Sequence, residues 1–215
     1  MPSTDWIDTL KKHDVTLSGD QIQQITQYCF LVRSWSDFAS LVSVGNLEHL
    51  EELHIVDSLS LLKPVTVTVP EGGLLFDIGS GGGFPAIPLA IALPERNFLL
   101  MERSGKKISF LQKVIGALKL KHVSLIHGSF PERLPEDAPH AITARAVERA
   151  DTVLMDITDS MPENTVFLCQ SGDPRDKIDG AMFHVEHWKD NWTKSGTRRG
   201  SLYTIRHRKD ESAGE

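Results

Sequence analysis

Cysteine is scarce in this chain: of 215 residues only Cys29 and Cys169 carry a thiol, each inside an apolar run. Two such positions make no disulfide framework and agree with a reducing compartment, where both are expected to be simply buried. There is no run of about 18 apolar residues, so no membrane-spanning helix is expected. The opening residues Met1-Pro2-Ser3-Thr4-Asp5-Trp6 have neither the basic nor the apolar stretch of a secretion signal, and the expectation is an unexported, cytoplasmic protein. Basic charge is in deficit too. Lys and Arg number 23 against 29 Asp and Glu, a formal net charge of −6. That balance excludes a protein that holds nucleic acid by bulk positive charge, and leaves room only for a local basic face. No internal repeat or low-complexity segment stands out. What remains, 40% hydrophobic and 24% charged, is enough for one sizeable core, or for a main domain with a small appendage.

The first third reads as helix. From Ser18 to about Val44, Ile22, Ile25, Cys29, Val32 and Trp35 recur at three- or four-residue spacing, with Ser18 and Asp20 as start signals. A second helical stretch, Leu47 to Leu62, places Leu50, Leu53 and Val56 on an apolar side and is expected to stop at Pro64. Residues 1–65 are therefore expected to form a helical extension. The pattern then changes. Leu74 to Ile78 is a short apolar run ending in Gly79-Ser80-Gly81-Gly82-Gly83, followed by a helical segment that stops at Pro94. Asn97 to Met101 is a second run, followed by Gly105 to Leu118 with Ile108, Leu111, Ile115 and Leu118 at helical spacing. Runs at 122–127, 141–144 and 165–169 repeat the strand signal at crossover distances. The alternation predicts an α/β fold with a mainly parallel, doubly wound sheet over residues 66–208. Segments 181–188 and 201–207 alternate polar and apolar residues and are expected to pair antiparallel at the sheet edge. Residues 209–215 are expected to be a frayed tail.

The glycine loop falls at the first strand-to-helix turn, where the absence of Cβ lets the backbone turn sharply and approach a ligand. Gly81, Gly83 and Ala86 satisfy the dinucleotide pattern G-x-G-x-x-A, so a nicotinamide cofactor stays open on the glycines alone. Asp77, two positions before the first glycine, and Pro85 and Pro88 at the opening of the helix favour an adenosyl sulfonium. Such a ligand has no pyrophosphate, so a carboxylate beside the loop meets positive charge. Glu102, 19 residues after Gly83, stands where a carboxylate accepts ribose hydroxyls in either case. Arg145 follows the fourth apolar run, at the strand end where α/β ligands gather. Phe130-Pro131, after the third run, could flank an adenine ring. His54 and Asp57, at i and i+3, can share a helix face and suit either a capping or interdomain hydrogen bond or a substrate contact.

The blocks Phe76 to Ile91 and Leu100 to Leu111 together resemble the RsmG family, also called GidB. The likeness extends to Ser34-Trp35, to His54-Ile55-Val56-Asp57-Ser58-Leu59 and to Thr143-Ala144-Arg145-Ala146-Val147. This resemblance implies a class I, Rossmann-like methyltransferase that uses S-adenosyl-L-methionine to modify N7 of a guanine in small-subunit (16S) ribosomal RNA. It implies cofactor contacts at Gly79, Phe84, Phe130, Pro131 and Arg145, with Glu102 as the carboxylate after the second strand. Three positions that are basic in the family are not basic here: Leu53, Ser171 within Gln170-Ser171-Gly172, and Gly200, which Arg198 and Arg199 precede. These departures bear on RNA contact more than on cofactor binding.

Charge distribution points the same way. Residues 103–121 hold six Lys or Arg and no acid, and residues 189–210 hold seven with two acids. Together they account for 13 of the 23 basic groups. A local basic surface on an acidic body suits phosphate contact, with Lys106, Lys107, Arg198 and Arg199 as candidate RNA-binding residues. The partner is expected to be the RNA itself or the assembled small subunit. His184 and His187 would point to opposite faces of a strand and are not read as metal ligands. Guanine N7 carries its own lone pair, so no acid, base or nucleophile is assigned; the target base is expected to be unpaired or flipped out. A nicotinamide-dependent oxidoreductase, a methyltransferase with another substrate and a non-enzymatic adenosine-binding regulator remain the alternatives at this point.

Overall fold

A computed structural model describes residues 5–145, 150–170 and 172–208. Ala146 and Val147 of the family-like block, the altered position Ser171 and the expected tail 209–215 lie outside the described residues.

Seven strands form one sheet in the order β3-β2-β1-β4-β5-β7-β6. They are β1 (Leu74–Ile78), β2 (Asn97–Glu102), β3 (Val123–His127), β4 (Ala141–Ala144), β5 (Val166–Cys169), β6 (Phe183–His187) and β7 (Tyr203–His207). β1 through β5 are mutually parallel, while β7 is antiparallel to both of its neighbours, β5 and β6. Each strand lies within two residues of its expected limits. The order reverses between β1 and β4, which puts the ligand crevice of such a sheet at the carboxyl end of β1.

Both faces of the sheet are covered. On one, α6 (Ala86–Ala92) and α7 (Gly105–Leu118) lie against β2, α2 (Gly19–Ala39) packs on α6 and α7, and with α1 (Asp5–Lys12) they share one buried cluster with Leu75, Phe98, Leu100, Ala141 and Leu168. On the other, α8 (Ala150–Ser160) contributes Leu154 and Ile157 against Phe76, Ile78, Ile142, Phe167 and Ile205. Trp6, Leu10, Ile25, Tyr28 and Val32 belong to the same buried cluster as the sheet residues, so the N-terminal helices share the sheet's core. α2 begins with a reciprocal cap: Gln21 N donates to Ser18 Oγ at 3.2 Å while Ser18 N donates to Gln21 Oε1 at 2.9 Å. Its Gln21 side-chain amide also donates to the Ile91 and Ala92 carbonyls, and that of Gln24 to the Leu118 carbonyl. The open C-terminal ends of α6 and α7 are thereby satisfied from a third helix.

Two N-terminal expectations are corrected. α2 ends at Ala39, because Ser40 turns into the left-handed region (φ 50°) and sends Leu41 against the glycine loop. The stretch 47–62 is not one helix. It is a short turn α3 (Val44–Leu47), a π-helical turn Glu51–Val56 and α4 (Asp57–Leu59), after which α5 (Leu62–Thr68) carries Pro64 in its first turn. A proline there removes an N–H that has no helical partner in any case, so it does not stop the chain. A short helix absent from the sequence reading, α9 (Asn191–Ser195), lies between β6 and β7 and is capped by Asp190 Oδ1, which accepts from Thr193 N at 3.0 Å.

Candidate active site

β1 delivers the loop. Gly79, Gly81 and Gly83 have φ of 69°, 58° and 91°, so three of five consecutive residues occupy the region that side chains disfavour. The loop is held at both ends: Ser80 N donates to the Met101 carbonyl at 2.9 Å, and Gly83 N to the Ser80 carbonyl at 2.7 Å. The glycines differ in what surrounds them. A Cβ on Gly81 would have only the Gly79 carbonyl nearby, at 3.7 Å, so the loop is open on that side. A Cβ on Gly83 would stand 2.6 Å from Ile87 Cγ1 and 3.1 Å from the Tyr28 hydroxyl. Gly83 is thus a packing glycine, and Tyr28, whose hydroxyl donates to the Gly82 carbonyl at 2.5 Å, closes that side. Burial holds the Tyr28 phenol protonated, as the donor this contact requires.

Around the open side stand two buried carboxylates. Glu102 binds the loop directly, its Oε2 accepting from Gly81 N at 2.9 Å and its Oε1 from Ser104 N at 2.8 Å. Each oxygen keeps a second lone pair for a hydroxyl. Asp77 is 1% exposed; its Oδ1 accepts from Thr143 Oγ1 at 2.7 Å, while its Oδ2 has no hydrogen-bond partner among the described residues. Burial pushes its pKa up to about 7, against the hydrogen bonds from Ser80 and Thr143 and the attraction of Arg145. A buried, unpartnered carboxylate oxygen is costly unless something cationic meets it. The amine or sulfonium of S-adenosylmethionine is chemistry of that kind, so the residues present fit the group.

Arg145 is turned toward the N-terminal helices. Its Nη1 donates to Asp57 Oδ2 at 2.5 Å, its Nη2 meets His54 Nδ1 at 3.1 Å, and the guanidinium lies 5.5 Å from the Phe84 ring centroid. His54 is kept neutral, with its pKa lowered to about 4 by burial and then by Arg145 and Arg199, which leaves Nδ1 as an acceptor. His54 and Asp57 thus tie the N-terminal helical stretch to the end of β4 through Arg145, and Asp57 Oδ1 also accepts from Arg199 N at 2.7 Å. The Phe84 ring is buried between Tyr28 and His54, at centroid distances of 5.3 and 4.9 Å. Phe130 is half-buried against Phe76, and Pro131 beside it is exposed.

The basic candidates divide. Lys106 and Arg199 are exposed and Lys107 is half-buried on the first turn of α7. Arg198 is corrected: its side chain is 0% exposed, bonded to Asp190 at 2.7 Å and to the Ser60 hydroxyl and carbonyl at 3.0 and 2.8 Å. A guanidinium so enclosed joins α9 to the chain after α4 and has nothing left to offer a phosphate. Burial alone would raise the Asp190 carboxyl, yet Arg198 and Thr193 hold it below its usual range. Among the described residues no cluster of three or more His, Cys, Asp or Glu could hold a metal. His187 instead stacks on Tyr203 at 4.8 Å. The residues that sequence reading missed are Tyr28 and Thr143. Tyr28 had a signal, a hydroxyl on the buried stripe of α2; Thr143 had its place in strand β4 and in the family-like block that ends the strand.

Residues 21–186 match the family model GidB, described as rRNA small subunit methyltransferase G. The chain belongs to this family. Curated GidB-type relatives, each called ribosomal RNA small subunit methyltransferase G, include one from Desulfitobacterium hafniense, 35% identical over 76% of this chain and 68% of its own length. Another, from Marinobacter nauticus, is 31% identical over 80% and 78%. One from Lachnoclostridium phytofermentans is 38% identical over 60% of this chain but only 52% of its own length, so the match spans about half of that relative. Among solved structures, the S-adenosylhomocysteine-bound methyltransferase PaMTH1 of Podospora anserina superposes with a TM-score of 0.55, covering 91% of this chain and 98% of that one at 14% identity. A putative rRNA methylase from Clostridium thermocellum gives 0.52 over 72% and 97% at 16% identity. These two show the class I methyltransferase fold. Membership of this methyltransferase family sets aside the nicotinamide alternative.

Proposed function

We propose that this chain transfers a methyl group from S-adenosylmethionine to N7 of a guanine in small-subunit ribosomal RNA, in the cytoplasm where that RNA is assembled. Membership of the GidB family carries the reading, and the unpartnered buried oxygen of Asp77 beside an open glycine loop supports it. The cofactor's amine or sulfonium is assigned to Asp77, its ribose hydroxyls to Glu102, and its close approach to Gly79 and Gly81. Phe130 and Pro131 are assigned to the adenine side. Phe84 and Arg145 act from behind: the ring and the guanidinium brace each other and fix the N-terminal helices against the loop.

When bound, the cofactor supplies an electrophilic methyl group that the N7 lone pair takes without loss of a proton. The chain's contribution is then positioning, which in favourable systems lowers a barrier by up to roughly 7 to 11 kcal/mol. No side chain is assigned as acid or base. The cations Lys106, Lys107 and Arg199 are assigned to RNA phosphates, whether in free RNA or in the subunit.

Two measurements test the reading. Calorimetric titration is expected to show binding of S-adenosylhomocysteine and none of NADH; the reverse would sink it. Small-subunit RNA from cells lacking the enzyme, after treatment with the protein and cofactor, is expected to gain one site cleaved by borohydride and aniline, the mark of N7-methylguanine. Methylation without new cleavage would move the target to another atom.

A further inference from the structure

Phe38 is an aromatic ring left 57% exposed near the C-terminal end of α2. It is held in place: Trp35, one turn earlier, meets it edge-on at 5.9 Å and rests in turn on the buried Phe110 at 6.0 Å. Above the ring, Lys106 Nζ stands 4.8 Å from the centroid. Among the described residues, Phe38 is the one exposed large apolar side chain with a cation over it.

Its location matters as much as its exposure. Two residues past the end of α2, Leu41 packs against Gly82 of the cofactor loop, and the first turn of α7 comes directly after Glu102, whose carboxylate binds both Gly81 and Ser104. The end of α2 and the start of α7 therefore form one rim beside the loop, and Phe38 with Lys106 sits on it. Arg103 and Lys107 lie within the same short stretch, in a segment without a single acid. Asp37, the nearest acid in sequence, is rotated about 100° around α2 from Phe38.

An exposed ring on a rigid aromatic base, bordered by cations, has the chemistry of a stacking platform for unpaired nucleotides. The ring face takes a base of any identity and the ammonium groups take the flanking phosphates. We infer that Phe38 stacks on an unpaired base of the RNA substrate adjacent to the methylated guanine, with Lys106 giving up its place over the ring for the neighbouring phosphate. This rests on the RNA-methyltransferase reading and adds to it a residue that holds the single strand at the rim. An apolar protein partner would use Phe38 differently, by area and not by planarity, and has no need of the cations.

The test compares Phe38→Ala, Phe38→Leu, Phe38→Trp and Lys106→Gln for binding to unmodified small-subunit RNA transcribed in vitro, and for S-adenosylhomocysteine affinity and thermal midpoint. Phe38→Ala and Phe38→Leu are expected to weaken RNA binding at least about fivefold, and Phe38→Trp to restore it, since stacking requires a plane. Lys106→Gln is expected to lower the slope of log affinity on log salt by about one phosphate contact. S-adenosylhomocysteine affinity and thermal midpoint are expected to stay at wild-type values. RNA affinity unchanged in Phe38→Ala, or fully kept by Phe38→Leu, overturns the inference. So does a loss seen with assembled subunits and absent with naked RNA, which would mean a protein contact. If wild-type protein binds S-adenosylhomocysteine yet neither binds nor methylates the RNA, naked or within the assembled small subunit, it is the RNA reading itself that fails.

Discussion

At the scale of single residues, the two carboxylates lead to different expectations. Asp77 has its pKa lifted to about 7, above the usual carboxylate range, so the folded protein binds an extra proton between about pH 4 and 7 and loses stability as the pH rises through that window. Binding a cation needs the ionised form. Cofactor affinity is therefore expected to fall about tenfold per unit as the pH drops below 7 and to level off above it; affinity constant from pH 5.5 to 8.5 would exclude Asp77 as a contact. Asp77→Asn is expected to be more stable than wild type at pH 8, by roughly 1–3 kcal/mol, because the unpartnered charge is gone, while binding cofactor more weakly. Glu102→Ala strips the acceptor from two backbone donors and, on the proposed assignment, from the ribose, and is expected to weaken S-adenosylhomocysteine binding by roughly 1.5–3 kcal/mol with glutamine milder. Wild-type affinity in a folded alanine variant would reduce Glu102 to a brace for the loop. That Asp77 and Glu102 flank the glycine loop was legible in the sequence, because the spacing to a glycine turn is local information. The burial of Arg198 was not, since it depends on Asp190 and on Ser60, 138 residues away.

At the scale of elements, the strands were read well because each is a short apolar run closed by turn residues, a pattern that survives any tertiary arrangement. The helical N-terminus was read less well. A 3.6-residue period cannot distinguish one helix from a series of short turns whose apolar positions stay in phase, and the π-helical turn Glu51–Val56 is such a case. That irregular stretch is where His54 and Asp57 reach Arg145, so local regularity gives way to a contact between elements. The basic segments illustrate the same separation. Arg198→Ala is expected to destabilise the fold by roughly 3–5 kcal/mol, because it leaves Asp190 without its buried partner, and to leave the salt dependence of RNA binding unchanged. Arg199→Glu is expected to do the opposite, with a flatter salt slope and a near wild-type thermal midpoint. Denaturation curves and binding at several salt concentrations distinguish them; equal effects on both readouts would refute the division.

At the scale of the whole molecule, the asymmetry of charge was visible in the sequence, whereas the sharing of one core between the N-terminal helices and the sheet was not. The reason is that amphipathic helices declare which face they bury and not what they bury it against. For α2 the partners are the ends of other segments. By donating from Gln21 and Gln24 to the last carbonyls of α6 and α7, and from Tyr28 to the glycine loop, it ends three of them as well as packing on them. A helix that terminates its neighbours cannot breathe alone: lifting it strands carbonyls in each of them at once. Native-state hydrogen exchange is therefore expected to show the amides of α2, α6 and α7 opening at a common free energy, as one cooperative unit, with the β6 and β7 edge opening at a lower one. Exchange of α2 at a distinctly lower free energy than α6 and α7 would break that unit apart.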